Sequence, residues 1–205
     1  RICWDRERDT LAGQLAALKE RGVNVALAGT LGVAQQATEL GFTVWGDYGL
    51  GVYNSQSLKE LKRLGFSGAT ASFELKLAQI RDLSKAVPME LIAYGRLPLM
   101  ITENCIVHNH AGQHVCGDGL RLVDRKGARF PVVKAWGCRN EILNAKTLFL
   151  ADKAGDYARL GLWGARLVFT TESPEDCVRI LRRYQGQRGW QPGDYTRGLY
   201  YRDVE

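Results

Sequence analysis

Short apolar runs alternate along the chain with segments in which apolar residues recur at helical spacing. In the first such segment Leu11, Leu15 and Leu18 are followed by Gly22, which predicts a helix over residues 8–21. Further helices are predicted after residues 29–30, after 54–55, around 75–83, around 152–160 and from residue 173 onward. The apolar runs predict strands at residues 23–28, 42–45, 68–72, 89–94, 147–150 and 166–169. We expect the glycine-rich residues 47–53 to continue the second of these strands irregularly. This alternation is typical of parallel βα units and predicts an α/β fold.

A (β/α) barrel is the parallel architecture that we favour. The sequence contains neither a dinucleotide-binding glycine fingerprint nor a phosphate-binding Gly-Lys loop, so a nucleotide-binding doubly wound sheet lacks specific support. Since the visible βα units are too few to close eight strands, we expect a partial or distorted TIM-type barrel. The chain begins at Arg1 without an initiator methionine or a secretory signal, and we expect a fragment of a longer protein.

The alternation of predicted strands and helices is interrupted between residues 96 and 140. Within this insertion, apolar segments flank Asp124 and Gly127 and predict a β-hairpin. A long irregular insertion in a regular domain is usually functional. We expect one domain over residues 1–185 that includes this insertion, and an Arg/aromatic-rich tail, residues 186–205, that packs on it.

Composition and charge narrow the class of protein. The 205 residues are 45% apolar and 24% charged, which excludes a disordered chain, a collagen and a coiled coil. No apolar run reaches the roughly 18 residues of a membrane span, so we expect no membrane partner. The net charge of +6 is mild. Without a secretory signal we expect the cytoplasm, where cysteines are more often metal ligands or redox groups than disulfides.

Four of the five cysteines are candidates for a metal centre, although their spacing lacks the CxxC pairs of a zinc ribbon. Cys105 and Cys116 lie in the insertion and Cys138 closes it. Cys177 falls in the first turn of a predicted helix, where the helix dipole favours the thiolate form. Four such thiolates could hold zinc or a [4Fe-4S] cluster. The alternative is that they are buried as small apolar residues, as we expect for Cys3.

All three histidines lie between the first two cysteines of this set. A mixed Cys/His zinc site that uses His108, His110 or His114 is therefore a second possibility. A solvated polar loop is the simpler alternative, and one short loop usually supplies only about two ligands.

Polar residues near strand ends are candidates for catalysis, because the carboxyl ends of barrel strands face the active site. Glu74 follows one strand, Glu90 lies within the next, and Arg96 comes just after it; Asn54 has a comparable position. A structural ion pair, for example between Glu90 and Arg96, is an equally good explanation. No nucleophile elbow and no zincin helix motif is present, so neither of those mechanisms has support.

The end of the chain combines arginines with aromatic residues. Between Arg179 and Arg202 there are six arginines and one acidic residue, with tyrosines and a tryptophan among them. Such interleaving can bind single-stranded RNA, although the more common arrangement packs the rings on the domain and solvates the arginines.

Three blocks of sequence resemble the peptidase U32 family of collagenase-like proteases. They are residues 88–105 (PMELIAYGRLPLMITENC), residues 130–144 (FPVVKAWGCRNEILN) and residues 195–202 (YTRGLYYR). The order of the four cysteines is similar to that of relatives that bind an iron–sulfur cluster. The resemblance implies a (β/α) barrel whose opening half is absent here. It also implies that Cys105, Cys116, Cys138 and Cys177 are metal ligands, with Glu90, Tyr94, Gly95 and Arg96 as family positions of unassigned role.

Together these inferences predict a U32-type peptidase domain with a four-cysteine metal centre that hydrolyses a protein or peptide substrate. In this hypothesis Glu90 or Glu74 acts as general base on a water molecule and Arg96 stabilises the oxyanion. The fragment alone could be inactive. One alternative is an iron–sulfur protein that takes part in hydroxylation of tRNA or rRNA bases. Another is a non-catalytic binding module in which the metal serves only to stabilise the fold. The sequence leaves the oligomeric state open, with a homodimer among the options.

Overall fold

A computed structural model of the chain describes residues 2–112 and 119–202. Its α-helices are α1 (Arg8–Glu20), α2 (Leu31–Glu39), α3 (Ser55–Arg63), α4 (Leu77–Asp82), α5 (Ile106–Ala111), α6 (Ala154–Tyr157) and α7 (Pro174–Tyr184). Its strands are β1 (Val25–Ala28), β2 (Thr43–Gly46), β3 (Gly68–Thr70), β4 (Met89–Gly95), β5 (Pro98–Thr102), β6 (Arg121–Val123), β7 (Arg129–Lys134), β8 (Asn140–Leu143), β9 (Thr147–Phe149), β10 (Gly164–Leu167) and β11 (Tyr195–Thr196). Short 3₁₀ turns cover Asp5–Glu7, Tyr48–Leu50, Trp136–Cys138 and Ala151–Lys153.

The chain divides into two compact units. As far as they are described, unit 1 comprises residues 1–92, 153–166 and 198–205, and unit 2 comprises residues 93–152 and 167–197. Strand β4 therefore contributes its first four residues to unit 1 and its last three to unit 2.

Unit 1 is built from parallel strands joined by helices. Strands β1, β2, β3 and β4 pair in that order and all in parallel. Two of the helices begin at residues whose side chains satisfy backbone N–H groups that the helix itself leaves unpaired: Thr30 accepts from the Val33 amide at 3.4 Å, and Asn54 accepts from the Ser57 amide at 2.9 Å. The βα alternation predicted for this part of the sequence is thus confirmed.

The core of unit 1 lies between the sheet and its helices. Residues of β2, β3 and β4 are almost fully buried there, and apolar stripes of the helices pack beside them. The side chain of Tyr200 is also buried, and its hydroxyl donates to the carbonyl of Ile92 at 2.8 Å. An aromatic residue from the end of the chain is therefore part of this core.

The glycine-rich segment after β2 differs from the prediction. We expected residues 47–53 to continue the strand irregularly, but Tyr48–Leu50 form a 3₁₀ turn that the Asp47 carboxylate caps by accepting from the Tyr48 amide at 2.8 Å. The turn ends at Gly51, which has a φ of +62°, a conformation that glycine adopts without strain. The chain turns here because Asp47 offers its own backbone a hydrogen bond that competes with the strand ladder.

Unit 2 contains a four-stranded antiparallel sheet of order β5-β8-β7-β6. Its β6–β7 hairpin confirms the predicted one, with Val123 opposite Arg129 and the Asp124 amide bonded to the Ala128 carbonyl at 3.1 Å. Strand β5 and helix α5 lie in the insertion and β8 begins at its end, and no periodic pattern predicted these three elements.

The second set of strands in unit 2 joins the end of β4 to β9 and β11. The pairing of β4 with β9 is antiparallel and that of β9 with β11 is parallel. Phe149 of β9 is fully buried with Tyr94 and Ile180, and partly buried residues such as Tyr184 and Trp190 pack against them. At the end of β4, Gly95 has a φ of +129°, and a Cβ atom there would overlap the carbonyl oxygen of Val168.

The α/β class predicted from the sequence is confirmed. The described strands pair as open sheets and do not close into a barrel, and the antiparallel β9 departs from the all-parallel order of a TIM barrel. Among the described residues, no helix is long and apolar enough to cross a membrane.

Candidate functional site

A buried charged cluster lies at the carboxyl ends of β2 and β3 in unit 1. Its centre is Arg166, whose guanidinium donates to the Asp47 carboxylate at 2.7 Å, to the Thr70 hydroxyl at 2.7 Å and to Glu90 Oε1. The Thr70 hydroxyl in turn donates to the same Glu90 oxygen at 2.8 Å. We call these four residues the Arg166 cluster.

The sheet register brings the Arg166 cluster together. Asp47 directly follows β2, Thr70 is the last residue of β3, and Glu90 stands opposite Thr70 in the parallel pairing with β4. Arg166 comes from β10, which pairs with β4. The parallel register places the side chains of Asp47, Thr70 and Glu90 in one row across neighbouring strands, and the guanidinium reaches across this row.

The Arg166 cluster contains two carboxylates and one guanidinium with little access to water. The side chains of Glu90, Arg166 and Asp47 are 10%, 19% and 22% exposed, respectively. Burial opposes the charge on Arg166, but its hydrogen bonds to Asp47 and Glu90 and their negative charges outweigh that effect and raise its pKa. Arg166 is therefore held in the charged form, as a buried ion pair requires.

A second polar pair in unit 1 is open to solvent. The hydroxyl of Tyr53 donates a short hydrogen bond to Glu74 Oε2, and the amide of Glu74 donates to the Ser72 hydroxyl at 3.3 Å. The hydrogen bond to Glu74 raises the pKa of Tyr53, and the nearby Ser72 hydroxyl partly opposes this effect. Tyr53 is thus a protonated phenol that donates to an exposed carboxylate.

The three residues predicted to act in catalysis have different surroundings. Glu90 is buried in the Arg166 cluster, so its ion-pair partner is Arg166 and not the Arg96 that the sequence suggested. Glu74 is exposed and bonded to Tyr53. Arg96, in unit 2, donates through Nη1 to the carbonyl of Asn144 at 2.9 Å and to that of Ala145. Asn54, the fourth polar residue considered, caps α3.

Arg96 also lines a cavity of about 200 Å³ in unit 2. There the Tyr94 hydroxyl lies 3.1 Å from Glu172 Oε1, while Glu172 Oε2 accepts from the amide of Thr170 at 2.7 Å and from that of Thr171 at 2.9 Å. Burial and the negative charge of Glu172 raise the pKa of Tyr94, so it is a neutral hydrogen-bond donor at ordinary pH. With Asp176 and Arg179 also in its lining, the cavity presents two guanidinium groups, two carboxylates and a phenol.

The predicted metal ligands are described only in part. Cys105 caps α5 and its Sγ accepts from the His108 amide at 3.5 Å, Cys138 has a φ of +63°, and Cys177 lies in the first turn of α7 as predicted. Cys116 and His114 fall outside the described residues. Across residues 2–112 and 119–202, no three side chains of His, Cys, Asp or Glu converge on a metal position. The described ligands by themselves do not form the predicted centre.

The sequence prediction missed Asp47, Thr70, Arg166 and Tyr53. The sequence indicated two of them, because Asp47 comes soon after a predicted strand and Thr70 lies within one. Glu74 was considered because of its similar position near the end of a strand. Arg166 had no such signal, since it stands 76 residues from Glu90 and 119 residues from Asp47 in the sequence.

No curated protein and no solved structure matches the chain. The sequence pattern of the family described as Peptidase family U32 matches residues 1–120, which include Glu74, Glu90, Arg96 and Cys105. The match covers more than half of the 205 residues, and the chain belongs to peptidase family U32.

Proposed function

We propose that this chain is part of a peptidase-type hydrolase that cleaves peptide bonds of a protein substrate. The observation that carries the proposal is the family membership over residues 1–120, a stretch that contains most of unit 1, including Tyr53, Glu74 and Glu90. The contacts described above support particular roles for the residues.

Glu74 is the better general base of the two carboxylates in unit 1. A general base must come within hydrogen-bond reach of the water that it activates. Glu74 is exposed, whereas Glu90 is 7% exposed and its Oε1 already accepts from Thr70 and Arg166. In the proposed reaction Glu74 takes a proton from water, the resulting hydroxide attacks the peptide carbonyl carbon, and the proton is then passed to the leaving amine as the C–N bond breaks.

Tyr53 complements this role because its hydroxyl donates to Glu74. The bond orients the carboxylate while it is ionised. When Glu74 has taken the proton it becomes a weaker acceptor, and the phenol can then donate to the oxyanion that forms on the substrate. The ionised Glu74 raises the pKa of Tyr53, so the phenol is protonated when the reaction begins.

Glu90 has a positioning role in this proposal. Its ion pair with Arg166 joins β4 to β10, and the hydrogen bond that it accepts from Thr70 holds β4 against the end of β3, from which the segment with Glu74 departs. The role of Arg96, in unit 2, in stabilising negative charge stays a prediction from the sequence. Its Nη1 donates to two backbone carbonyls.

The four-cysteine metal centre stays a proposal drawn from the sequence, and no step of the reaction is derived through it. The described donors do not converge, so they do not show which role a metal would have. No contact among the described residues favours the RNA-hydroxylation or binding-module alternatives over a peptidase.

The test is cleavage of denatured collagen by the full chain and by single variants, with product amines quantified. Glu74→Gln keeps the shape of the side chain and removes its basicity, so cleavage should fall about 100-fold or more. Tyr53→Phe should reduce cleavage by a smaller factor. Glu20→Gln, an exposed position at the end of α1, is the matched control and should leave the rate unchanged.

Cleavage by Glu74→Gln at the rate of the unmodified chain would refute the assignment of the base. Loss of cleavage in Glu90→Gln together with loss of stability would agree with the positioning role. Loss of cleavage in Glu90→Gln at full stability would transfer the role of base to Glu90.

A further inference from the structure

An arginine-lined cleft of about 300 Å³ runs along α7 and the turn that follows it in unit 2. We call it the α7 cleft. It is lined by Glu175, Val178, Arg179, Arg182, Arg183, Gln187, Arg188 and Trp190. Four of these eight residues are arginines and one is acidic, so the cleft has a net charge of +3.

Two of the four arginines already have structural roles. Arg179 pairs with Asp176 and lies over the Trp190 ring at 5.0 Å from its centroid. Arg183 donates from Nε to the Trp190 carbonyl at 3.0 Å. These contacts fix the walls of the cleft.

The other two arginines face solvent. Arg182 and Arg188 are exposed, and in the described part of the chain no acidic side chain pairs with either of them. A guanidinium presents its N–H groups in a planar fork that matches a carboxylate in two parallel hydrogen bonds. The cleft thus offers two uncompensated guanidinium groups within a concave surface.

We propose that the α7 cleft binds an acidic segment of the peptide substrate, with Arg182 and Arg188 as the residues that recognise its carboxylates. This inference rests on the proposed peptidase function. The cleft shares Arg179 and Trp190 with the cavity that contains Arg96, so a peptide in the cleft continues along the same face of unit 2. The protein would select substrates that carry a segment rich in Asp or Glu.

The aromatic contacts favour a peptide over single-stranded RNA. Single-stranded RNA is bound by a basic groove in combination with open aromatic rings on which its bases stack. In unit 2 the rings of Tyr184, Trp190 and Tyr195 pack against Phe149 with centroids 5.5–6.0 Å apart, and Arg179 covers a face of Trp190. The cleft therefore offers charge without a stacking surface.

Binding is tested apart from cleavage, by fluorescence anisotropy of a labelled octapeptide with four glutamates and of its glutamine counterpart. The full chain should bind the glutamate peptide and not the glutamine peptide, and binding should weaken as salt is added. The double variant Arg182→Gln/Arg188→Gln should raise the Kd at least about tenfold. Arg125→Gln, at an exposed position in the β6–β7 turn, is the matched control and should leave the Kd unchanged.

Equal binding of both peptides, no binding of either, or an unchanged Kd in the double variant would overturn the inference. The inference would also be overturned if a single-stranded RNA of equal charge displaced the labelled peptide at a lower concentration than the unlabelled peptide does. Charge-selective binding by a chain that cleaves nothing would support the cleft and count against the peptidase. Cleavage without charge-selective binding would support the peptidase and count against the cleft.

Discussion

Removal of the guanidinium of Arg166 is the sharpest test of the buried cluster in unit 1. Arg166→Met keeps the length and apolar stem of the side chain but leaves Glu90 and Asp47 without their cation. Glu90 then stays buried with only the Thr70 hydroxyl as a described partner. Because the folded state must hold an uncompensated charge, we expect a large loss of stability.

The size of the expected loss of stability follows from the burial of the ion pair. Breaking a buried ion pair by removing one partner costs about 3–5 kcal/mol. The Arg166 side chain keeps 19% of its exposure, and solvent screening reduces this figure to about 2–4 kcal/mol. For a chain of this size that corresponds to a fall in Tm of roughly 4–16 °C.

The assay is urea unfolding followed by circular dichroism, with Arg159→Met as control. Arg159 is an exposed arginine of unit 1 without a described ion pair, and its replacement should change the free energy of unfolding by less than about 0.5 kcal/mol. Adding Glu90→Gln to Arg166→Met removes the charge of the Glu90 carboxylate, which lacks a cation in the single variant. The double variant should therefore be more stable, by at least about 1 kcal/mol, than the sum of the two single effects predicts. A cost below 0.5 kcal/mol for Arg166→Met, or strictly additive effects, would refute the buried ion pair.

Three further predictions concern other parts of the molecule. A phenolate absorbance titration should show the raised pKa of Tyr53, and in Glu74→Gln this pKa should fall toward 10.0. The hydrogen bond should stabilise the fold fully below pH 10 and lose that effect as the pH rises through the raised pKa. An unchanged titration curve in Glu74→Gln would contradict the hydrogen bond. Gly95→Ala should cost more than about 3 kcal/mol in urea unfolding, because the new methyl group overlaps a carbonyl oxygen at a positive φ; a cost within 1 kcal/mol would show that the strand end adapts. If the four cysteines hold a metal, anaerobically prepared Cys177→Ser should lose the zinc or iron that the unmodified chain and Cys3→Ser retain; equal metal content in all three would refute the ligand assignment.

Local order in unit 1 could be predicted largely from the sequence. The helices of unit 1 begin near polar caps such as Thr30 and Asn54 and end near glycines, and their apolar stripes face the sheet. These features depend on hydrophobic periodicity and backbone hydrogen bonding over a few residues, and neighbouring positions carry that information. The same holds for the β6–β7 hairpin, whose turn residues are adjacent in sequence.

The candidate site could be predicted only in part. Glu74 and Glu90 were found because polar residues near the ends of consecutive strands stand out in a βα pattern. Their roles could not be separated, since exposure distinguishes them and exposure depends on what packs nearby. Tyr53 was missed because it follows a turn that the sequence pattern did not predict.

By itself, the sequence determined the α/β class, the order of the βα units, the hairpin and the family to which the chain belongs. Only the tertiary structure decided that β9 runs antiparallel to β4 and that Glu90 pairs with Arg166 instead of Arg96. The reason is physical. Strand direction and ion-pair choice depend on contacts between segments that lie tens of residues apart, and their free energies reflect burial and register, which no local pattern of residues records.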